Sequence, residues 1–444
     1  MYDLSLMNGT CWIFHQGSLR PFETHLYIKD GKIAAVSSQN LPAQTSVSVQ
    51  GLQVFPGIID SQVHFRDPGM PDKEDLSSGS RAAAYGGITS FFDMPNTWPA
   101  TTTQDLFLQK IQLAENKSWV DFGFFIGASK ENLDQLPALE KLQGCAGIKI
   151  FLGSSTGSLL IDEDPTLERI FQKTTGLLVF HSEDEQRLKE RKHLAVDSGD
   201  VHQHPHWRDP LTALISTQKI IQLAEKYQRK VHILHLSTAE EAAFLKDKKQ
   251  WCTTEILPQH LTLTAPDCYD RLGTLAQQNP PLRDSTHQQA LWQAVLEGTI
   301  DIMGSDHAPH TLIEKAKPYP TSPSGMPGVQ TMVPLMLNFV NQGKIALPHW
   351  LNMVTEMPRK TFRCFTKGRI EIGLDADLTI VDMKKEMVIQ NSWIQSRCGW
   401  TAFDGMKVQG SVHSTYVRGQ ALLQESAWVG GETPHGQKVP FFLS

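Results

Sequence analysis

Residues 147–153 read GIKIFLG, a lysine set in the middle of an apolar run and bounded by glycines. A run this short, β-branched and aromatic on either side of one charge, reads as a strand buried on both faces, the kind that parallel sheets make. Three runs of similar texture precede it, VFPGIID near 54, ITSFFDM near 88 and DFGFFIG near 121. Four follow it, LLVFHS near 177, VHILHLS near 231, CTTEILPQH near 252 and IDIMGSD near 300. Helical stretches alternate with these runs. The clearest opens at Asp209-Pro210, an N-cap followed by proline at the first helical position, and extends to about Tyr227; another takes Asp284 as its N-cap. Eight strands alternating with helices close a barrel, so the expected class is α/β, a (β/α)8 TIM-like barrel.

The texture changes on both sides of this region. Residues 1–52 carry turn signals at Gly9, Gly17, Gly31 and Gly51 around short alternating strands such as THLYIKDGKIAAV, and from Gly368 onward IEIGLDADLTIVDM and STYVRGQALL read the same way. The two termini are therefore expected to pair into one small β-sandwich domain, residues 1–52 with 367–444, flanking a catalytic barrel of residues 53–366. The chain has 444 residues with 41 basic and 47 acidic side chains, a net charge of −6, which argues against nucleic-acid binding. With 40% hydrophobic and 20% charged residues the composition is that of an ordinary globular protein, and disordered and collagen-like classes drop out. The start, MYDLSLMNGTCWIF, lacks a basic segment and an apolar core, and no apolar run reaches membrane-spanning length, so a cytoplasmic protein without membrane association is expected. Six scattered cysteines without CxxC pairs suggest reduced thiols.

In such a barrel reactive groups collect at the C-terminal strand ends. Here the first run leads into Asp60, Gln62, His64 and Arg66, the second into Asp93 and Asn96, the fifth into His181, the sixth into His235 and the eighth into Asp306, His307 and His310. A lone histidine after a strand is more often a hydrogen-bonding residue than a ligand, but histidines, an aspartate and a lysine converging on one rim supply the nitrogen and oxygen donors that zinc or a similar divalent ion prefers. Lys149 is the most telling. An unpaired ammonium in a doubly buried strand costs several kcal/mol or loses its proton, and beside a dication it is repelled unless its amine has become a carbamate. The plainer alternative is a lysine snorkelling from the strand end.

PGIIDSQVHFRDPG, GGITSFFDMPNT, GIKIFLGSSTG, VFHSED, ILHLS, NPPLR and GSDHAPH, in that order, together with GRIEIGLDADLTIVD and PHGQKVPF near the end, resemble the dihydroorotases of the amidohydrolase superfamily over nearly the whole chain. The resemblance implies reversible ring closure of N-carbamoyl-L-aspartate to dihydroorotate in pyrimidine synthesis. It implies one or two zinc ions, with His181 and His235 on one, His64 and Asp306 on the other and a carbamylated Lys149 between them. Asp306 would be the catalytic acid and base. Arg66, two residues past His64, offers a planar fork for the exocyclic carboxylate, with Asn96 and His310 completing the grip, and Asn279 and the backbone of Ser324-Gly325 would bind the ring amides. A salt bridge from Arg66 to Asp67 or Asp72 is the bland alternative. The partner implied is a small-molecule substrate, and the resemblance leaves room for a homodimer and for association with aspartate transcarbamoylase. Rival readings are a hydantoinase- or allantoinase-like hydrolase of another cyclic amide, which Arg66 disfavours, and a catalytically silent homologue that scaffolds aspartate transcarbamoylase, which the intact Lys149, His181, His235 and Asp306 disfavour.

One position departs from the family: the usual HxH pair reads Gln62-Val63-His64. An amide oxygen is a poorer zinc ligand than imidazole, so the ion beside His64 is expected to be weakly held unless Gln62 ligates directly or through water. The histidines of VHQHPHWRDP (His202, His204, His206) are expected to be solvated, His232 and His260 to be structural, and GSSTG at 153–157 to be a turn beside the site.

Overall fold

A computed structural model describes residues 1–154 and 159–442; residues 155–157 of the GSSTG turn lie outside the described residues. Strands β1 (Tyr2–His15), β2 (Ser18–Lys29) and β3 (Lys32–Ser37) form an antiparallel meander. Its second turn is made by Asp30 and Gly31, both at positive φ (50° and 73°), the two-residue hairpin whose twist matches its flanking strands. β4 (Ala43–Ser48) and β5 (Gln53–Pro56) both lie parallel to β1.

The run VFPGIID, expected as one strand, is two. β5 stays with the terminal sheet, and β6 (Ile58–Val63) opens the barrel. The chain passes between the two sheets at Gly57, where a Cβ would lie 2.4 Å from Thr89 Oγ1 and 2.6 Å from the Cβ of Asp377. The close approach leaves no room for a side chain, and this is what splits the run.

β7 (Ile88–Asp93), β8 (Asp121–Gly127), β9 (Cys145–Phe151), β10 (Leu178–His181), β11 (Val231–Ile233), β12 (Cys252–Ile256) and β13 (Ile302–Met303) then follow β6 as parallel neighbours in sequence order. A parallel bridge between Val63 and His307 and a 2.7 Å bond from the His64 N–H to the His307 carbonyl join the last strand to the first. All residues of β6 to β13 are buried, as expected where helices cover the outside and side chains fill the inside. The helix Pro210–Lys226 starts with the Asp209 carboxylate accepting from the Thr212 N–H, and Ser285–Leu296 starts with Asp284 accepting from Thr286 and His287. Both caps match the sequence reading.

β14 (Leu378–Val388), β15 (Lys407–Val417), β16 (Gln420–Gln424) and β17 (Ala427–Trp428) complete the terminal sheet, with β14 antiparallel to β5. Nine strands from both ends of the chain thus share one sheet, over a core that includes Leu6, Leu26, Ile28, Val54, Leu378 and Ile380. No helix among the described residues is long and apolar enough to cross a membrane, and the six cysteines are buried and unpaired.

Charge fastens the sheet to the barrel. Lys367, buried, reaches Asp377 at 2.7 Å, Asp375 at 3.0 Å and Asp121 at the start of β8, and Arg418 meets the same Asp121. The three carboxylates are close enough to suggest a cation site, but the Lys367 ammonium already stands among them. Burial works to raise the Asp121 pKa, yet Lys367 and Arg418 hold it below the ordinary carboxylate range. Removing the ammonium strands buried carboxylates, which costs roughly 3–5 kcal/mol. Lys367→Met is therefore expected to lose about that much in urea unfolding at pH 7. The deficit should shrink near pH 5, because carboxylates stranded in the mutant take up protons more readily than in the unfolded chain. An unchanged unfolding midpoint would show that this network does not hold the two parts together.

Candidate active site

The barrel fixes where its strand ends point, and the residues leaving β6 show how tightly. Gln62, His64 and Arg66 follow one another outward, and Arg66 sits at φ 62°. His235 after β11 and Asp306 after β13 are also left-handed, at 35° and 43°. Side chains other than glycine rarely adopt this conformation, and each instance costs about 1–3 kcal/mol. Three in one rim mark a place where the backbone serves side-chain placement.

Gln62, His64, Arg66, Asn96, Lys149, His181, His235, Asn279, Asp306, Ser324 and Gly325 all line one small cavity. His310 stands behind its wall, with Nε2 3.4 Å from Arg66 Nη2 and 3.1 Å from the Ser324 carbonyl. A far larger cavity of about 500 Å³ lies at the other end of the strands, between Glu140, Arg229, Lys230 and Phe362. It contains no converging set of imidazoles and carboxylates, so chemistry rather than volume selects the small one.

His181 Nδ1 and His235 Nε2 face each other at 3.1 Å. His181 Nε2 donates to Glu183 Oε2 at 2.8 Å, which leaves Nδ1 with its lone pair toward His235. Burial lowers the pKa of both imidazoles, favouring the neutral form that ligates metals. Burial acts to raise Glu183, but Arg208 and His181 hold it well below the ordinary range, so a full negative charge braces His181 from behind. Two neutral imidazoles converging on one point, with a carboxylate fixing the tautomer, are a donor set suited to a divalent ion.

The neighbouring group is organised differently. His64 Nδ1 meets Asn96 Oδ1 at 2.8 Å, and His64 Nε2 meets Asp306 Oδ1 at 3.1 Å. The carboxylate oxygen and the imidazole nitrogen that face each other here suit a cation shared between His64 and Asp306. The Gln62 amide donates to the same Asp306 Oδ1 at 3.0 Å, and its own buried Oε1 has no donor among the described residues. Lys149 is 1% exposed, with Nζ over the Phe151 ring at 4.5 Å, and burial lowers its pKa to about 7. It does not snorkel to solvent.

Arg66 is also 1% exposed. Its Nε donates to the Pro309 carbonyl at 3.2 Å, while Nη1 has no acceptor among the described residues. Asp67 pairs with Lys117 instead. Asp93 faces away from the cavity, accepting from the Phe65 N–H and Lys110. His232 bonds Thr253, and His260 meets Gln278 and the Pro280 carbonyl. His204, expected to be solvated, is fully buried: its Nε2 donates to the Gln278 carbonyl (2.9 Å) and to Asn279 Oδ1 (3.0 Å). In the short helix His204–Trp207 only His204 is buried, and a four-residue segment offers no periodicity from which to read that. Sequence reading also passed over Glu183 and Arg208, although an acid two residues past His181 was the available signal.

The amidohydrolase family profile matches residues 53–422. The chain is 36% identical to a dihydroorotase of Methanosarcina acetivorans, over 96% of this chain and 93% of that one. It is 32% identical to a dihydroorotase of Methanothermobacter thermautotrophicus, over 99% and 98% respectively. Among solved structures it is similar to an L-hydantoinase (dihydropyrimidinase) from Arthrobacter aurescens, with a TM-score of 0.93 at 28% identity over 99% of this chain and 100% of that one. The rim of imidazoles and carboxylate on a closed parallel barrel and the match through both sheets agree: the chain belongs to the amidohydrolase family.

Proposed function

We propose that this protein is a dihydroorotase, interconverting N-carbamoyl-L-aspartate and dihydroorotate for pyrimidine synthesis. The observation that carries the reading is Arg66 Nη1, a buried, charged donor without an acceptor among the described residues, in the same cavity wall as the imidazole pair. Leaving such a donor unmatched costs about 1–3 kcal/mol or more, and a substrate carboxylate would match it. Dihydroorotate has a carboxylate outside the ring; hydantoin and dihydrouracil do not. The names of the archaeal relatives support the same choice.

His181 and His235 would hold one zinc ion and His64 with Asp306 a second, with Lys149 between them as a carbamate. The metal, when bound, supplies an acidified water and polarises the amide carbonyl. Lys149 would form its carbamate by attack of the neutral amine on carbon dioxide with loss of one proton, and its burial favours the neutral amine. Asp306 takes the proton of the attacking water and delivers it to the ring nitrogen, its carboxylate steadied by the Gln62 amide. Arg66, braced by the Pro309 carbonyl and His310, holds the substrate carboxylate. Asn96, Asn279 and the backbone of Ser324-Gly325 bind the remainder of the ring.

The direct test compares turnover of dihydroorotate with that of hydantoin and dihydrouracil; preference for either uncharged ring rejects the assignment. In Arg66→Met, loss of a charge-assisted contact worth about 1.5–3 kcal/mol removes one to two decades of kcat/KM from binding alone, and misplacement of the ring adds more. Metal content should stay unchanged.

Lys149→Ala is expected to lose both metal and activity, with partial recovery in added short-chain carboxylates. An intact mass showing a plain amine at Lys149 in fully active protein would remove the carbamate.

For Gln62 the expected outcome is substoichiometric metal beside His64 and Asp306 after dialysis, and an increase toward two ions per chain in Gln62→His. Two tightly held ions in the unaltered protein, with no gain in the variant, would show that an amide serves as well as imidazole at this position.

A further inference from the structure

Lys315 closes the short helix Leu312–Lys315, which starts with a Thr311–Glu314 capping box. Its side chain turns inward and is 1% exposed. No carboxylate meets its ammonium among the described residues. Three carbonyl oxygens do: Pro323 at 2.9 Å, Gln277 at 3.0 Å and Gly325 at 3.1 Å. An ammonium has three N–H donors, and all three are used.

These carbonyls belong to two irregular segments that have no regular ladder between them. One runs through Gln277 to Asn279; the other is the Pro323–Gly325 wall of the cavity. They are also joined by the Gly325 N–H to the Gln277 carbonyl at 2.9 Å, and by the Gln277 amide to the Ser322 carbonyl (3.0 Å) and Ser324 Oγ (3.1 Å). Three carbonyl dipoles aimed at one point repel one another unless a cation stands there. Burial works against that charge, lowering Lys315 to about 7; the geometry of three carbonyl oxygens around one Nζ suits the protonated amine. The wall that Lys315 gathers is itself placed against the site: the Ser324 carbonyl meets His310 Nε2 at 3.1 Å, and Gly325, at φ 139°, lies so close to the Ala308 carbonyl that a Cβ would be 2.5 Å from it.

We infer that Lys315 is a positioning residue: its ammonium takes the place a structural cation would occupy, gathers the Gln277, Pro323 and Gly325 carbonyls, and so shapes the Ser324-Gly325 wall for the ring amides without touching substrate. The inference rests on the reading of that wall as the ring-binding side. The residue governs affinity more than chemistry, because among the described residues its ammonium bonds only wall carbonyls and makes no contact with His181, His235 or Asp306.

Lys315→Met keeps the side chain out to the ε position and removes the charge and all three donors. Expected are an increase in KM for dihydroorotate of about tenfold or more with kcat within about threefold, and unchanged metal content. Amide hydrogen exchange at residues 324–326 of the substrate-free protein should accelerate by about tenfold or more. Unchanged KM and exchange, or a fall in kcat with loss of metal, would overturn the inference. If Lys315→Met gives no folded protein, Gln277→Leu cuts the same wall from its other attachment. It must reproduce the KM-specific defect and the faster exchange, and normal behaviour of both would equally overturn it. Failure of the unaltered protein to turn over dihydroorotate rejects the substrate assignment alone, since the exchange measurement needs no substrate and still decides the role of Lys315.

Discussion

A strand in a closed parallel barrel has no wet face. Each charge placed on it must be met by another group inside the protein, and the rest of this molecule follows from how that demand is answered. Lys110 meets Asp93, and Ser61 donates to Glu255 at 2.7 Å. Asp60, raised to about 7 by burial, accepts from the backbone of Gln62 and Ser305. At the junction with the terminal sheet Lys367 meets its three aspartates. At the C-terminal mouth Gln62 Oε1, Arg66 Nη1 and His235 Nδ1 are buried without partners among the described residues, and deeper in the barrel so are Asp60 Oδ2 and Glu255 Oε1, whose other oxygens are bonded. Buried polar atoms are paired in the great majority of cases, and exceptions call for an explanation. Under the proposed function the partners at the mouth would be the substrate and a metal ion.

Much of this was legible in the chain because the constraint is local. A doubly buried strand needs a short, largely apolar or β-branched run, so the barrel strands were visible as such runs, and the residues that end them lie toward the mouth. The N-caps Asp209 and Asp284 were equally plain, since capping depends on neighbours two or three residues away. What sequence could not carry was information held between distant segments. That VFPGIID divides at Gly57 depends on the approach of Thr89 and Asp377. That His204 is buried depends on Gln278 and Asn279, more than seventy residues downstream. The brace behind His181 joins Glu183 to Arg208, and Lys315 gathers carbonyls from two loops. Each is satisfied by a partner whose position only the closed fold defines.

Similarity of fold and similarity of sequence point to differently named relatives, and the barrel explains how both arise. The backbone superimposes on that of a hydantoinase through nearly its full length, while archaeal dihydroorotases share more of its residues. Closure dictates strand direction, spacing and burial irrespective of what binds. Under the proposed function, discrimination between ring substrates would be left to a few side chains on the rim, with Arg66 foremost. A scaffold of this kind changes substrate by exchanging a fork for a smaller group, with the core undisturbed.

The left-handed backbone at Arg66, His235 and Asp306 also bears on the evolutionary history open to this site. Among residues with a Cβ, that conformation is entered most readily by asparagine, aspartate and histidine, and β-branched or bulky apolar residues are largely shut out. Mutation at these positions is thus sieved by the main chain before any chemistry is tested, and the survivors are mostly short side chains bearing nitrogen or oxygen. Drift in such a rim tends to exchange one nitrogen- or oxygen-bearing side chain for another, so its stock of potential ligands is kept over generations.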